Sequence, residues 1–195
     1  MMHNPSSNPA SRHLTFVRHG ATEANLAGLR CGGDLDVPLT EFGRRQAAEA
    51  ALRIRELRKP VGLIITSALQ RTRETASIVS RMLGGVEVIV EPGFGERRLG
   101  EWNMRPVSDT EVALVQGVTP PGGETNQDFI ARIGDAMECL LPRLEDQPLL
   151  VGSKGVARAM AELLGLPARQ DLSNGQLAYF DLAAFAARNA MVSPS

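Results

Sequence analysis

The tripeptide Arg18-His19-Gly20 directly follows a short apolar run, Leu14-Thr15-Phe16-Val17. A strand that stops there delivers a cation and an imidazole to the rim of a sheet, and glycine, with no side chain to clash, permits a sharp backbone turn. In open α/β sheets ligands bind at the carboxyl ends of strands. A guanidinium is a planar fork that matches phosphate oxygens, and an imidazole kept neutral by nearby cations is a nucleophile. Such a rim suits a phosphate ester. Other polar groups stand at equivalent places. Ser67 and Arg71 follow the apolar run Val61 to Thr66, Ser153 and Lys154 follow Pro148 to Gly152, and Glu96 lies shortly after Val86 to Val90. If these runs are parallel strands, the groups share one edge. Each group taken singly has an ordinary alternative. Arg71 beside Arg73 and Glu74 reads as a solvated helix face, Glu96 beside Arg97 and Arg98 as a surface ion pair, Lys154 as a solvated helix entrance.

The elements that must position these groups are legible in the pattern. His13 to Val17 reads as a first strand. Thr40 reads as the N-cap of a helix whose apolar face is Ala47, Ala50, Ala51, Ile54 and Leu57. Val61 to Thr66 is a short strand, and Ala68 to Leu83 a helix with Thr72, Ala76, Val79 and Leu83 on one face, stopped by Gly84-Gly85. Val86 to Val90, rich in β-branched residues, is a third strand. From Glu91 to Gly123 glycines and prolines break the pattern, which reads as a functional excursion with one short helix near Asp109 to Gln116. Thr125 and Asp128 resemble a capping box, opening a helix with the stripe Ile130, Ile133, Met137, Leu140, Leu141, Leu144. A strand from Pro148 to Gly152, a helix from Val156 to Leu164 and a strand from Gln176 to Leu182 complete the series. Strands alternating with helices predict an α/β fold, a three-layer α/β/α sandwich on a mixed, mainly parallel central sheet. Residues 1–12, polar and holding Pro5 and Pro9, read as a flexible N-terminal tail. Residues 13–195 read as a single domain, with 91–123 as a cap and specificity element.

Composition narrows the partners. The net charge of −1 gives no bulk attraction to nucleic acid or to a membrane surface. No apolar run approaches the ~20 residues that span a bilayer, and residues 1–12 lack the apolar stretch of a signal peptide. Cys31 and Cys139 are too few for a disulfide framework, which favours a reducing compartment and predicts a cytoplasmic protein. The three histidines have no Cys or His at ligand spacing, against a structural zinc site.

Five ordered blocks together resemble the histidine phosphatase superfamily, the phosphoglycerate-mutase-like proteins. They are Phe16-Val17-Arg18-His19-Gly20-Ala21-Thr22-Glu23-Ala24-Asn25; Asp36-Val37-Pro38-Leu39-Thr40-Glu41-Phe42-Gly43 with Gln46-Ala47; Ser67-Ala68-Leu69-Gln70-Arg71-Thr72-Arg73-Glu74-Thr75-Ala76; Glu96 with Leu99-Gly100-Glu101-Trp102; and Pro121-Gly122-Gly123-Glu124-Thr125 with Phe129 and Arg132. The resemblance implies roles. His19 would attack phosphorus in line and become a phosphohistidine, Arg18 and Arg71 would clamp the phosphoryl oxygens, Asn25 would touch the same group, and Glu96 would protonate the leaving alkoxide and then help activate water. No metal or other cofactor is implied, since the arginines supply the positive charge. Phosphoryl transfer rests mainly on positioning and charge stabilisation, which these side chains provide.

The resemblance also implies a second histidine in the block Val151-Gly152-Ser153-Lys154-Gly155, where we match Lys154 to it. Lysine keeps a donor and a full charge near the same oxygens but places them less accurately. Lys154 and Gly155 are therefore expected to bind phosphate, with catalysis weakened, or tuned to a more anionic substrate. The expected function is metal-independent hydrolysis of a small phosphomonoester, the partner being a small phosphorylated metabolite or inorganic phosphate. The alternatives are a non-catalytic phospholigand-binding or regulatory module of the same fold, and mutase-type phosphoryl transfer. Glu101, Trp102, Arg105 and Arg30 border the expected pocket, with surface or packing roles as their alternative.

Overall fold

The structure, a computed structural model, describes residues 12–57, 60–167 and 172–192. The proposed tail, residues 1–12, lies outside them except for Arg12, whose carbonyl accepts from the Leu182 N–H.

Five strands form one sheet: β1 (His13–Arg18), β2 (Leu63–Thr66), β3 (Val88–Val90), β4 (Pro148–Gly152) and β5 (Leu177–Asp181), in the order β3-β2-β4-β1-β5. The first four are mutually parallel and β5 runs antiparallel to β1 at the edge. The sheet is thus mixed and mainly parallel, with helices on both faces, as expected. Chain order 1-2-3-4 against spatial order 3-2-4-1 means that β1 and β4 become neighbours although 129 residues of chain separate Arg18 from Pro148. Parallel pairing brings the carboxyl ends of β1, β2 and β4 to one edge.

On one face pack α2 (Glu41–Glu56) and α3 (Gln70–Met82), joined by Ala50, Ala51, Ile54, Ala76 and Val79 over Val17, Ile64 and Val151. Thr40 caps α2, accepting from the Gly43 N–H. Of the expected α2 face, Leu57 alone is exposed, because the helix ends at Glu56. On the other face pack α5 (Asn126–Leu140) and α6 (Lys154–Leu163), with Ile133, Met137, Val156 and Met160 over Phe16 and Phe180. Thr125 caps α5 through the Asp128 N–H, as the capping pattern predicted.

Three elements differ from the sequence reading. The α5 stripe was expected to run to Leu144, but α5 ends at Leu140 and a 3-10 segment, Leu141–Asp146, carries Leu144 into the core. Pro142 has no N–H to continue the helical ladder. A single-turn helix, α1 (Glu23–Leu26), and a final helix, α7 (Ala183–Val192), were not anticipated; α1 is opened by a Thr22–Asn25 capping box. The excursion 91–123 holds two 3-10 turns, Pro92–Phe94 and Gly100–Trp102, and α4 (Val107–Val115).

Candidate active site

His19 stands one residue beyond β1, its N–H bonded to the Gly152 carbonyl of β4 at 2.9 Å. Gly20, expected to serve a sharp turn, is not in the left-handed region. Its smallness serves a close approach instead. A Cβ at Gly20 would lie 2.1 Å from the Gly43 carbonyl oxygen, and one at Gly43 the same distance from that of Ala21. Two glycines thus let the start of α2 abut the His19 loop. That loop is tied further by Gly20 N–H to Thr75 Oγ1 at 3.1 Å and Ala21 N–H to Gln46 Oε1 at 2.8 Å.

The His19 ring is buried, at 3 % exposure, and its Nδ1 lies 2.7 Å from the Gly20 carbonyl oxygen. A carbonyl oxygen only accepts, so Nδ1 carries the proton and, in the neutral ring, Nε2 carries the lone pair. Burial holds the imidazole well below its ordinary 6.5; the Arg71 and Arg18 charges add to this, and the bond to Gly20 opposes it. The ring is therefore neutral at neutral pH.

Arg18, at the end of β1, and Arg71, in the first turn of α3 after β2, both reach His19 electrostatically. Arg71, at 1 % exposure, donates to the carbonyls of Leu35, Gly32 and Cys31, at 2.9, 3.1 and 3.4 Å, which hold it under the loop after α1. Arg18 donates from Nη1 to Leu172 O at 2.8 Å, while its Nε is buried with no partner. Burial draws the Arg18 guanidinium down to about 10; Glu96 opposes this, and Arg158 and Arg71 reinforce it. It remains a cation at neutral pH.

Glu96 faces the start of α6. Its Oε2 accepts from the Gly155 N–H at 3.0 Å and its Oε1 from the Arg97 N–H at 2.7 Å. The chain around it is clamped from α5: Arg132 donates to the carbonyls of Gly93 and Gly95 at 2.7 and 3.0 Å and pairs with the buried Glu124 at 2.8 Å. Asp34 holds the other side, accepting from the N–H groups of Leu99 and Gly100 and from Asn103 Nδ2. A Cβ at Gly33 would lie 2.1 Å from the Glu96 carbonyl oxygen. The Glu124, Phe129 and Arg132 block is thus a brace for the Glu96 segment, with the Arg132 guanidinium 5.2 Å from the centre of the Phe129 ring.

The structure thereby brings Arg18, His19, Arg71, Glu96 and Gly155 together. Asn25 joins through Asn174, whose Nδ2 donates to the His19 carbonyl at 2.9 Å and to Asn25 Oδ1 at 3.3 Å. Asn25 Oδ1 also accepts from the Thr22 N–H, so both its inward bonds use the oxygen. Lys154, half-buried, opens α6 directly before Gly155. Sequence reading missed Asn174. Its signal was the turn dipeptide Asn174-Gly175, with Gly175 at φ 74°, but nothing local says which loop such a turn folds against.

The sequence matches the histidine phosphatase superfamily (branch 1) over residues 14–184. The chain belongs to that superfamily. It is 37% identical over 169 residues, 80% of this chain and 76% of the relative, to a probable phosphoglycerate mutase, GpmB, of Photorhabdus laumondii. Among solved structures, TTHB049 of Thermus thermophilus matches with a TM-score of 0.71 and 28% identity over 88% of this chain and 94% of that one. A mycobacterial glucosyl-3-phosphoglycerate phosphatase in complex with VO3 matches with a TM-score of 0.73 and 30% identity over 86% and 90%. In this histidine phosphatase superfamily member no helix among the described residues is long and apolar enough to cross a membrane. The excursion is tied to the rest of the fold through α4, where Glu111 pairs with Arg30 and, at 3.3 Å, with Arg158 of α6. Trp102 is buried, in keeping with its packing alternative.

Proposed function

We propose that the chain hydrolyses small phosphomonoesters through a phosphohistidine on His19. One observation carries the reading: a buried imidazole, flanked by Arg18 and Arg71, with Nδ1 bonded to Gly20 O and Nε2 left as the lone pair. Nε2 attacks phosphorus, forming the N–P bond as the ester P–O bond breaks. Glu96 in its acid form gives its proton to the leaving alkoxide. The resulting carboxylate then takes a proton from water as that water attacks phosphorus and breaks the N–P bond, releasing inorganic phosphate and restoring the neutral ring. Arg18 and Arg71 bind the phosphoryl oxygens, whose charge changes most along this path. Asn25 offers its amide N–H₂, its oxygen being taken by Thr22 and Asn174. Gly155 and Lys154 at the start of α6 complete the rim, and the excursion 91–123 selects the substrate. No resident metal or cofactor enters these steps.

The names of the relatives suggest the first esters to try, 3-phosphoglycerate and glucosyl-3-phosphoglycerate. They also favour a second reading, mutase-type transfer, in which the phosphoryl group on His19 passes to a hydroxyl of phosphoglycerate rather than to water. The test is turnover of an aryl phosphate and of these esters, with a search for acid-labile phosphate on His19. Hydrolysis is supported by phosphate release that disappears in His19→Ala. Interconversion of phosphoglycerates without release favours the mutase, and binding without turnover or labelling defeats both in favour of a non-catalytic module.

A further inference from the structure

Ser153 is buried, at 2 % exposure, and its Oγ has no hydrogen-bond partner. Buried side-chain polar atoms are nearly always bonded, so each exception calls for a reason. The usual one fails here. Ser153 is the N-cap residue of α6, where serine ordinarily accepts from an N–H one turn into the helix, yet its side chain makes no such bond. Glu96 has taken that role, since Oε2 accepts from the Gly155 N–H at 3.0 Å. The carboxylate has displaced the hydroxyl from its local duty and left it buried.

Where the hydroxyl lies gives the reason. Arg18 of β1 is in register with Gly152 of β4, and the next ladder bond, His19 N–H to Gly152 O at 2.9 Å, is also made. Ser153 remains extended, at φ −108° and ψ 168°. The register therefore continues one step further and sets Ser153 beside His19. Registered neighbours on adjacent parallel strands lie ~5 Å apart and share a face. By this register Ser153 flanks His19, while Lys154 opens α6. A second orphan accompanies it: Arg18 Nε, next to His19 in the chain, is also buried with no partner. Two buried polar atoms without a partner thus belong to residues next to His19, Arg18 in the chain and Ser153 across the strand pair.

We propose that Ser153 Oγ–H is a phosphoryl ligand, donating to a non-bridging oxygen of the group that His19 receives. The inference rests on the oxyanion-binding reading of this site and names a residue which that reading left out. A small neutral donor at this place holds the phosphoryl group without adding a charge or a titrating group. The residue beside the nucleophile is therefore pH-independent.

The test uses Ser153→Ala, with Ser153→Thr keeping the hydroxyl, on the full chain. Three quantities are read: thermal stability without ligand, the shift in Tm on adding VO3 or inorganic phosphate, and the single-turnover rate of His19 phosphorylation by an aryl phosphate. Loss of a hydrogen bond to a charged group predicts a rate lower by about 10- to 100-fold in Ser153→Ala. The oxyanion-induced Tm shift should shrink, and Ser153→Thr should restore both. The ligand-free Tm of Ser153→Ala should match or exceed that of wild type, because an unpaired hydroxyl has been removed; a packing role would lower it. If wild type and Ser153→Ala take the same oxyanion shift and label His19 equally fast, the serine assignment is overturned while the phosphatase reading stands. If wild type shifts with VO3 but never turns over, the shift alone decides about Ser153 and the hydrolase reading falls. If wild type neither shifts nor turns over, both are overturned.

Discussion

The Gly155 N–H lies 3.0 Å from Glu96 Oε2, and a Cβ on Gly155 would lie 2.1 Å from Glu96 Oε1. Residue 155 can therefore carry no side chain while the carboxylate stays where it is. The atom in the way is the end of a flexible side chain, so Gly155→Ala is accommodated by moving Glu96 rather than the backbone. Alanine is also the better helix former by about 1 kcal/mol. The expected outcome is unchanged or slightly raised Tm with kcat lowered about 100-fold, the scale of a misplaced catalytic group. Steady-state assays should show a smaller loss for an aryl phosphate than for an alkyl phosphate, since a good leaving group needs less help from an acid. An equal loss for both would place the effect elsewhere.

Asn174 holds the two sides of the His19 loop together through one amide, donating to the His19 carbonyl and to Asn25 Oδ1. Asn174→Ala removes both bonds and leaves the Asn25 amide held by the Thr22 N–H alone. Net hydrogen-bond contributions of about 1 kcal/mol each predict a loss of roughly 10-fold or somewhat more in kcat/KM, with the fold retained. A positioning role makes the loss appear in the rate of His19 phosphorylation at saturating substrate, where a surface turn would leave that rate unchanged.

Arg132 and Glu124 form an ion pair at 2.8 Å whose carboxylate is almost fully buried. Removing the cation alone strands that carboxylate. Arg132→Met should therefore destabilise by about 3–5 kcal/mol in urea unfolding. The double variant Arg132→Met, Glu124→Met should recover much of this, because no buried charge is left unpaired. Activity should stay low in both, since the carbonyls of Gly93 and Gly95 lose the donor that aligns the Glu96 segment.

His19 predicts the response to acid. Burial and the Arg71 and Arg18 charges hold the folded imidazole well below 6.5. The nucleophile therefore stays unprotonated into mild acid, and the His19 contribution to the acid limb of kcat/KM should fall below the free-imidazole range. Stability moves with the same proton. The unfolded chain binds it near 6.5 and the folded chain does not, so unfolding takes up a proton between the two values. The contribution is fully present above 6.5 and is lost progressively as pH falls toward the folded value. His19→Gln has no ring to protonate when unfolded. Urea midpoints at about pH 7.5 and about pH 5, on either side of the free-imidazole value, should fall more for wild type than for His19→Gln. Parallel declines would mean that the ring is not held neutral.

Local chemistry carried the sequence reading a long way. The alternation of apolar runs with 3.6-residue stripes placed β1 to β5 and the four main helices, because each pattern answers to one backbone geometry. Thr40 and Thr125 marked helix starts because their hydroxyls have backbone donors within three residues. Arg18, His19, Arg71, Glu96 and Lys154 stood out as candidates because parallel strands bring their carboxyl ends to one edge, and each lies at or shortly after such an end.

What escaped depends on distance in the chain. Asn174 meets His19 across 155 residues, and Arg132 meets the Gly93 carbonyl across 39. The register that sets Ser153 beside His19 comes from pairing two strands whose alignment no local pattern encodes. Gly20 was recognisable as a glycine that matters, but the partner that demands it, the Gly43 backbone, lies on another element. Residue types and short spacings therefore state which chemistry the chain can offer, since propensity and reactivity belong to single side chains and their near neighbours. Which donor touches which acceptor, and which hydroxyl is left over, follows from packing between segments far apart in the chain, where a shift of one residue in register exchanges Ser153 for Lys154.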